Sequence, residues 1–235
     1  MRQAKDFIVF PLDVPSKDEA LRLAGLLKGR VGMFKVGLEL FIQEGPGIVE
    51  AVRSAGGAKI FLDLKLHDIP ETVFKAMGRV AALGADFATV HFGESRRMAK
   101  AAVRGADGRV GVLGVTALTS VSDEDLRAAG LPDASALVLE RAGEFHKAGC
   151  AGVVCSALEV KKVKEAFGKG FQAVTPGIRP GWEGVSRGDQ KRVATPFDAV
   201  RDGSDHLVIG RPIRDARDPG RAADRVAEEI GRALG

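Results

Sequence analysis

Asp63 and Lys65 alternate with leucines within Phe61-Leu62-Asp63-Leu64-Lys65-Leu66-His67-Asp68-Ile69-Pro70, a pattern that could set an acid and an ammonium side by side on one face of a strand. Asp13 and Lys35 are further charged residues set among apolar ones. Further on, Pro176-Gly177-Ile178-Arg179 and Gly210-Arg211 combine glycine with arginine. Backbone amides bared by glycine, with an arginine fork, suit a phosphate dianion. Turn glycines beside solvated arginines would read the same way, and taken alone the two readings of these sites stand level. The chemistry these residue types allow is that of an acidic, phosphorylated small molecule.

Such scattered residues need a scaffold that gathers them. Strand-like runs occur at Phe7–Asp13, Met33–Glu39, Lys59–Leu66, Phe87–Phe92, Arg109–Leu118, Gly152–Ala157, Gln172–Ile178 and His206–Ile213. Helix-like stretches lie between them, among them Lys17–Leu27, Pro70–Leu83, Ala134–Lys147, Ala157–Phe167 and Pro219–Leu234. Strands alternating with helices argue for a parallel sheet. Eight such units in 235 residues point to a closed (β/α)8 TIM barrel. An open doubly wound sheet would more often carry a Gly-x-Gly-x-x-Gly turn after its first strand, and none follows Asp13. No linker or repeat divides residues 1–235, so one domain is expected. The connection between strands five and six should hold two helices.

On the third strand, Leu62, Leu64 and Leu66 share one face, and Asp63 and Lys65 the other. In a parallel barrel the leucines would pack against helices and the charges would point inward. The C-terminal mouth of a barrel is where its active sites lie, and the loops after strands seven and eight commonly hold phosphate. Asp13, Lys35, His91, Thr119-Ser120, Gly177–Arg179 and Gly210-Arg211 all fall at or near strand ends, which their joint placement makes hard to assign to chance.

Composition excludes little but is consistent. A formal net charge of +4, with the signs interspersed, shows no basic stripe for nucleic acid. Cys150 and Cys155 lie in apolar surroundings and read as buried free thiols, and the histidines and cysteines make no zinc spacing. The first residues form neither a signal peptide nor a membrane span, so a cytoplasmic place is expected.

The run from Asp63 to Pro70 resembles the Asp-x-Lys-x-x-Asp signature of the orotidine 5′-phosphate decarboxylase family. The likeness extends over the whole chain: Pro11-Leu12-Asp13-Val14, Phe34-Lys35-Val36-Gly37, Thr89-Val90-His91, Leu118-Thr119-Ser120, Thr175-Pro176-Gly177-Ile178-Arg179-Pro180, Gly188-Asp189-Gln190-Lys191-Arg192 and Ile209-Gly210-Arg211-Pro212-Ile213. The resemblance implies decarboxylation of orotidine 5′-phosphate to uridine 5′-phosphate without metal or cofactor. It implies that Lys35, Asp63 and Lys65 form a charged chain, with Lys65 as proton donor. Asp68, Ile69 and Thr72 would reach into the site of a neighbouring subunit in a homodimer. Asp13 and Lys35 would hold the ribose with Thr72, Ser120 would touch the pyrimidine, and Gln190, Arg211 and Gly210 would grip the phosphate. Pro176, Gly177 and Arg179 would complete that end, with residues 177–190 as a mobile loop. One departure is visible. Many bacterial members carry a glycine pair after His91, where this chain reads Phe92-Gly93-Glu94-Ser95, so the fourth loop is expected to differ in shape.

Two kinds of rival remain. Magnesium-dependent sugar-phosphate decarboxylases of the same superfamily share the Asp-x-Lys-x-x-Asp pattern, but a glutamate is expected where this chain has Lys35, and a lysine repels a divalent cation. The ligand set of ribulose-phosphate epimerase is likewise interrupted by Lys65. A non-catalytic nucleotide-binding barrel would keep the phosphate residues but has no use for the lysine–aspartate chain.

Overall fold

Ile8–Pro11 (β1) shows how this chain builds its sheet: all four residues are buried, as expected of a parallel strand covered on both sides. Ile8 and Phe10 face the surrounding helices, while Val9 faces the opposite way. The structure is a computed structural model, and it describes residues 2–93, 95–182 and 193–235. Seven more strands follow: β2 Met33–Gly37, β3 Lys59–Leu66, β4 Phe87–His91, β5 Gly111–Val115, β6 Gly152–Val154, β7 Gln172–Thr175 and β8 His206–Val208. All neighbours pair in parallel, and β8 closes onto β1. The expected (β/α)8 barrel is therefore the fold.

The helices in chain order are α1 Lys17–Leu26, α2 Leu38–Glu44, α3 Gly47–Gly56, α4 Pro70–Ala82, α5 Arg96–Ala106, α6 Asp123–Ala128, α7 Ala134–Ala148, α8 Ala157–Phe167, α9 Pro196–Arg201, α10 Arg211–Arg214 and α11 Pro219–Ala233. The β5–β6 connection holds two of them, α6 and α7, as its length suggests. Several begin with side-chain caps, such as Ser16 on Glu19 N–H and Asp133 on Ala136 N–H, which satisfy amides that have no partner inside the helix.

Several strands end earlier than their apolar runs suggest. β2 stops at Gly37, where α2 begins, and β5 stops at Val115. β8 stops at Val208, so Gly210 and Arg211 lie beyond the strand and Arg211 opens α10. The physical reason is closure. Past the barrel rim no neighbouring strand remains to accept the ladder, so the chain bends away.

One residue from every strand fills the interior: Val9, Met33, Phe61, Phe87, Leu113, Val154, Val174 and Val208. This plug is a packed floor. Because strand side chains alternate, the residues two further along point inward one level higher. Six of those eight, Pro11, Lys35, Asp63, Val115, Pro176 and Gly210, line the cavity at the C-terminal mouth.

Candidate active site

The cavity above the plug has a volume of about 550 Å³. Asp13, Lys35, Asp63, Lys65, Ser120, Pro176, Gly177, Arg179, Gly210 and Arg211 all line it, so the fold brings together ten of the residues singled out by sequence. Arg214 lines it too. The lining thus carries five cationic side chains (Lys35, Lys65, Arg179, Arg211, Arg214) against two anionic ones (Asp13, Asp63). That surplus is the field expected of a pocket for a small polyanion.

Charges alternate across the cavity. Lys35 Nζ donates to Asp13 Oδ1 at 3.1 Å and lies 3.6 Å from Asp63 Oδ2. Lys65 Nζ donates to the same Asp63 oxygen at 2.9 Å. Burial is the largest single influence on Asp63 and opposes its charge. Lys35, Lys65 and the hydrogen bonds from Lys65 and Thr89 together outweigh it, leaving the carboxyl below its usual range. Asp63 is therefore a fixed anion with an ammonium on either side.

β3 reaches this arrangement by leaving regular pairing. Leu62 pairs with Ala88 and Leu66 with Val90, so three residues of β3 stand against Thr89 alone. The excess of two residues preserves the alternation on both sides. Leu62, Leu64 and Leu66 accordingly all contact the helix-facing core, as the sequence pattern requires. Lys65 takes a left-handed conformation with φ 50°, which costs a non-glycine residue on the order of 1–3 kcal/mol. Thr89 fills the gap opposite: its Oγ1 accepts the Lys65 backbone N–H at 2.9 Å and donates to Asp63 Oδ1 at 2.9 Å.

At the far end, Gly177 has φ 76°, a backbone that glycine adopts without strain. Ile178 bridges to Ala194, and Arg179 N–H donates to Ala194 O at 2.9 Å, so the chain leaves β7 on a fixed base. A Cβ on Gly210 would lie 3.0 Å from Pro11 Cγ, which favours glycine at that close approach. Among the described residues Arg179 has no carboxylate partner; its Nη1 donates to the Ile178 carbonyl at 2.9 Å.

Other residues named from sequence lie elsewhere. Asp68 and Ile69 line a separate pocket with His67, Pro70, Ser95 and Met98, and Thr72 is exposed on α4. None of the three lines the cavity of its own chain. His91 does not line it either, and its ring packs against His67 at 6.0 Å. Gln190, with most of the run 177–190, and Glu94 lie outside the described residues. Among the described residues no three His, Cys, Asp or Glu side chains are gathered for a metal.

A family model described as "Orotidine 5'-phosphate decarboxylase / HUMPS family" matches residues 6–226. The chain belongs to that family. Within the orotidine 5′-phosphate decarboxylase / HUMPS family it is similar to proteins named orotidine 5′-phosphate decarboxylase. One from Desulfosudis oleivorans is 55% identical, covering 99% of this chain and 96% of its own length. Another from Pelobacter propionicus is 47% identical over 97% and 96%. The crystal structure of orotidine 5′-phosphate decarboxylase from Lactobacillus acidophilus superposes with a TM-score of 0.82 at 38% identity, covering 95% of this chain and 98% of that one.

For a member of the orotidine 5′-phosphate decarboxylase / HUMPS family, two residues at this site are not singled out by spacing. Thr89 looks like any threonine in a β run. Arg214 looks like one of many surface arginines, although its place three residues after Arg211 sets both on one side of a helical turn.

Proposed function

We propose that this chain removes the C6 carboxylate of orotidine 5′-phosphate and gives the Lys65 proton to the same carbon, yielding uridine 5′-phosphate and carbon dioxide. The observation that carries the reading is the Lys35–Asp63–Lys65 array, a fixed anion between two ammoniums at 3.6 and 2.9 Å on the cavity wall. When the C6–carboxylate bond breaks, its electron pair stays on C6 in the plane of the ring, where the π system cannot spread it. Stabilisation must then come from charges already in place. The Lys65 ammonium supplies one; its N–H bond breaks as the C6–H bond forms, and solvent later reprotonates the amine. Asp63 near the substrate carboxylate adds repulsion that bond cleavage relieves, a smaller contribution.

The remaining lining residues orient the substrate. Arg179 and Arg211, with backbone at Gly177 and Gly210 and with Pro176 packed alongside, face the phosphate, and Gln190 joins them in this reading. Asp13 and Lys35 take the ribose hydroxyls, and Ser120 the pyrimidine. Asp68, Ile69 and Thr72 serve the site of a partner in a homodimer. What supports this is their exposure: Asp68 and Thr72 are exposed, and Ile69 is 66% exposed, which is apolar surface of the kind interfaces cover. Two ammoniums interleaved with the carboxylates would repel a divalent cation, which disfavours the magnesium-dependent alternative. Residues 1–235 act as one domain here. Cys150 and Cys155 are buried and not joined in a disulfide, which suits a reducing cytoplasm.

Loss of orotidine 5′-phosphate absorbance, followed with and without a strong chelator, tests the reading. Rapid, chelator-insensitive turnover that Lys65→Ala abolishes at unchanged thermal midpoint is expected. Turnover that the chelator stops would select a metal enzyme. Tight nucleotide binding without turnover would select a sensor.

A further inference from the structure

We propose that Arg214 is a positioning residue for this reaction: it fixes the backbone that carries Asp13 and so ties the phosphate end of the cavity to the ribose end. The inference rests on the assignment of Asp13 and Arg211 above and extends it to a residue that does not itself hold substrate. Arg214 Nε and Nη2 fork onto Asp215 Oδ1 and Oδ2 at 2.7 and 3.2 Å. The remaining arm, Nη1, donates to the Asp13 carbonyl at 3.0 Å across 201 residues of chain. The fork onto a carboxylate matches its charge and fixes the plane of the guanidinium. Arg214 therefore presents a rigid donor to Asp13 more than a spare cation to phosphate.

Its place on α10 gives the contact its consequence. Arg211 and Arg214 occupy the two ends of one helical turn, and Arg214 N–H donates to the Gly210 carbonyl at 2.9 Å. From that turn a line of polar contacts runs through the Asp13 carbonyl and carboxylate to Lys35, Asp63 and Lys65. The Asp13 side chain is half exposed, and Lys35 is its hydrogen-bond partner there. Without the Arg214 arm the loop after β1 loses a cross-link at the residue whose carboxylate must meet the ribose.

A double-mutant cycle reads this directly. Arg214→Ala is expected to lower kcat/KM for orotidine 5′-phosphate by roughly ten- to thirtyfold, the scale of one charge-assisted hydrogen bond, mostly through KM. In an Asp13→Ala background the same substitution should cost less than about threefold, because the group it positions is gone. The loss should persist with phosphate-free orotidine, which keeps the ribose. Arg214→Lys, which retains a donor without the fork, should recover part of the activity. Thermal midpoints of all variants should stay close to that of the parent.

Fully additive losses in the cycle, or a loss that vanishes with orotidine, would overturn the proposal and make Arg214 a direct phosphate ligand or a general structural prop. If Asp13→Ala alone leaves kcat/KM unchanged, Asp13 leaves the site and this role for Arg214 falls with it. A large Asp13 effect with additive Arg214 losses removes Arg214 alone.

Discussion

The hydroxyl of Thr89 is fully buried and has two jobs that no apolar isostere can do, accepting from Lys65 N–H and donating to Asp63. Thr89→Val keeps the volume and removes both bonds. It leaves a backbone N–H without its partner at Lys65, which is held in a left-handed conformation, a loss worth about 1–3 kcal/mol. Since each 1.4 kcal/mol in a barrier is tenfold, kcat should fall by roughly ten- to a hundredfold if the strain at Lys65 serves catalysis. Steady-state kinetics with the thermal midpoint recorded alongside decides the matter, and an unchanged kcat would mean that Thr89 only supports the fold. At this scale the sequence is readable only where residue type implies chemistry. Asp63 and Lys65 declare themselves because charges on a buried strand demand a reason. Thr89 does not, because its role depends on three residues of β3 standing against one of β4, and period-two counting does not reveal a register shift.

Beneath the plug, elements distant in sequence are locked together around His206, the first residue of β8. Arg2 Nη2 lies 3.0 Å from His206 Nδ1, and Gln172 Oε1 on β7 lies 3.2 Å from Nε2. Arg2 also donates to the Asp6 and Asp205 carbonyls, and Phe87 packs edge-on against the imidazole. Burial first, then the positive charges of Arg2, Lys59 and Lys164, push the His206 pKa down to about 3 from 6.5. The sign follows from which state takes the proton. Between pH 6.5 and about 3 the unfolded chain is protonated at this residue and the folded one is not, so stability is full above the upper value and drains away as pH falls. Each pH unit in that window removes up to about 1.4 kcal/mol. Urea unfolding at pH 7 and pH 5 should show a steep loss in the parent and a shallower one in His206→Gln. Equal slopes would mean that the floor opens to solvent and lets His206 take up a proton while folded. The strands that carry this floor are legible in the sequence because β-branched runs at regular intervals have few other uses. Their ends are less so: apolar runs continue past the rim at Val115 and Val208, and only ring closure, a property of all eight strands together, decides where pairing stops.

The closed barrel leaves a question that only the assembled molecule answers, because Asp68, Ile69 and Thr72 stand outside the cavity of their own chain. Periodicity explains why they are absent from the inner wall: the strand ends at Leu66, and Pro70 starts α4, so the three residues lie on the rim and the helix that leaves it. It does not say what they are for. If they complete the cavity of a second copy, each site of a twofold dimer draws Lys65 from one subunit and Asp68 from the other. Lys65→Ala and Asp68→Asn proteins should then each be severely impaired, for different reasons. In a hybrid of the two, one site inherits both lesions and the other inherits neither. Random reassortment makes about half of the dimers hybrids, each with one intact site of two, so about a quarter of parental turnover should return on mixing. Mass spectrometry of the mixture under native conditions verifies that subunits have exchanged. Recovery near that level, growing at the rate of exchange, requires that the two residues act across an interface. Exchange without recovery would overturn the shared site and leave Asp68 to act, if at all, within its own subunit.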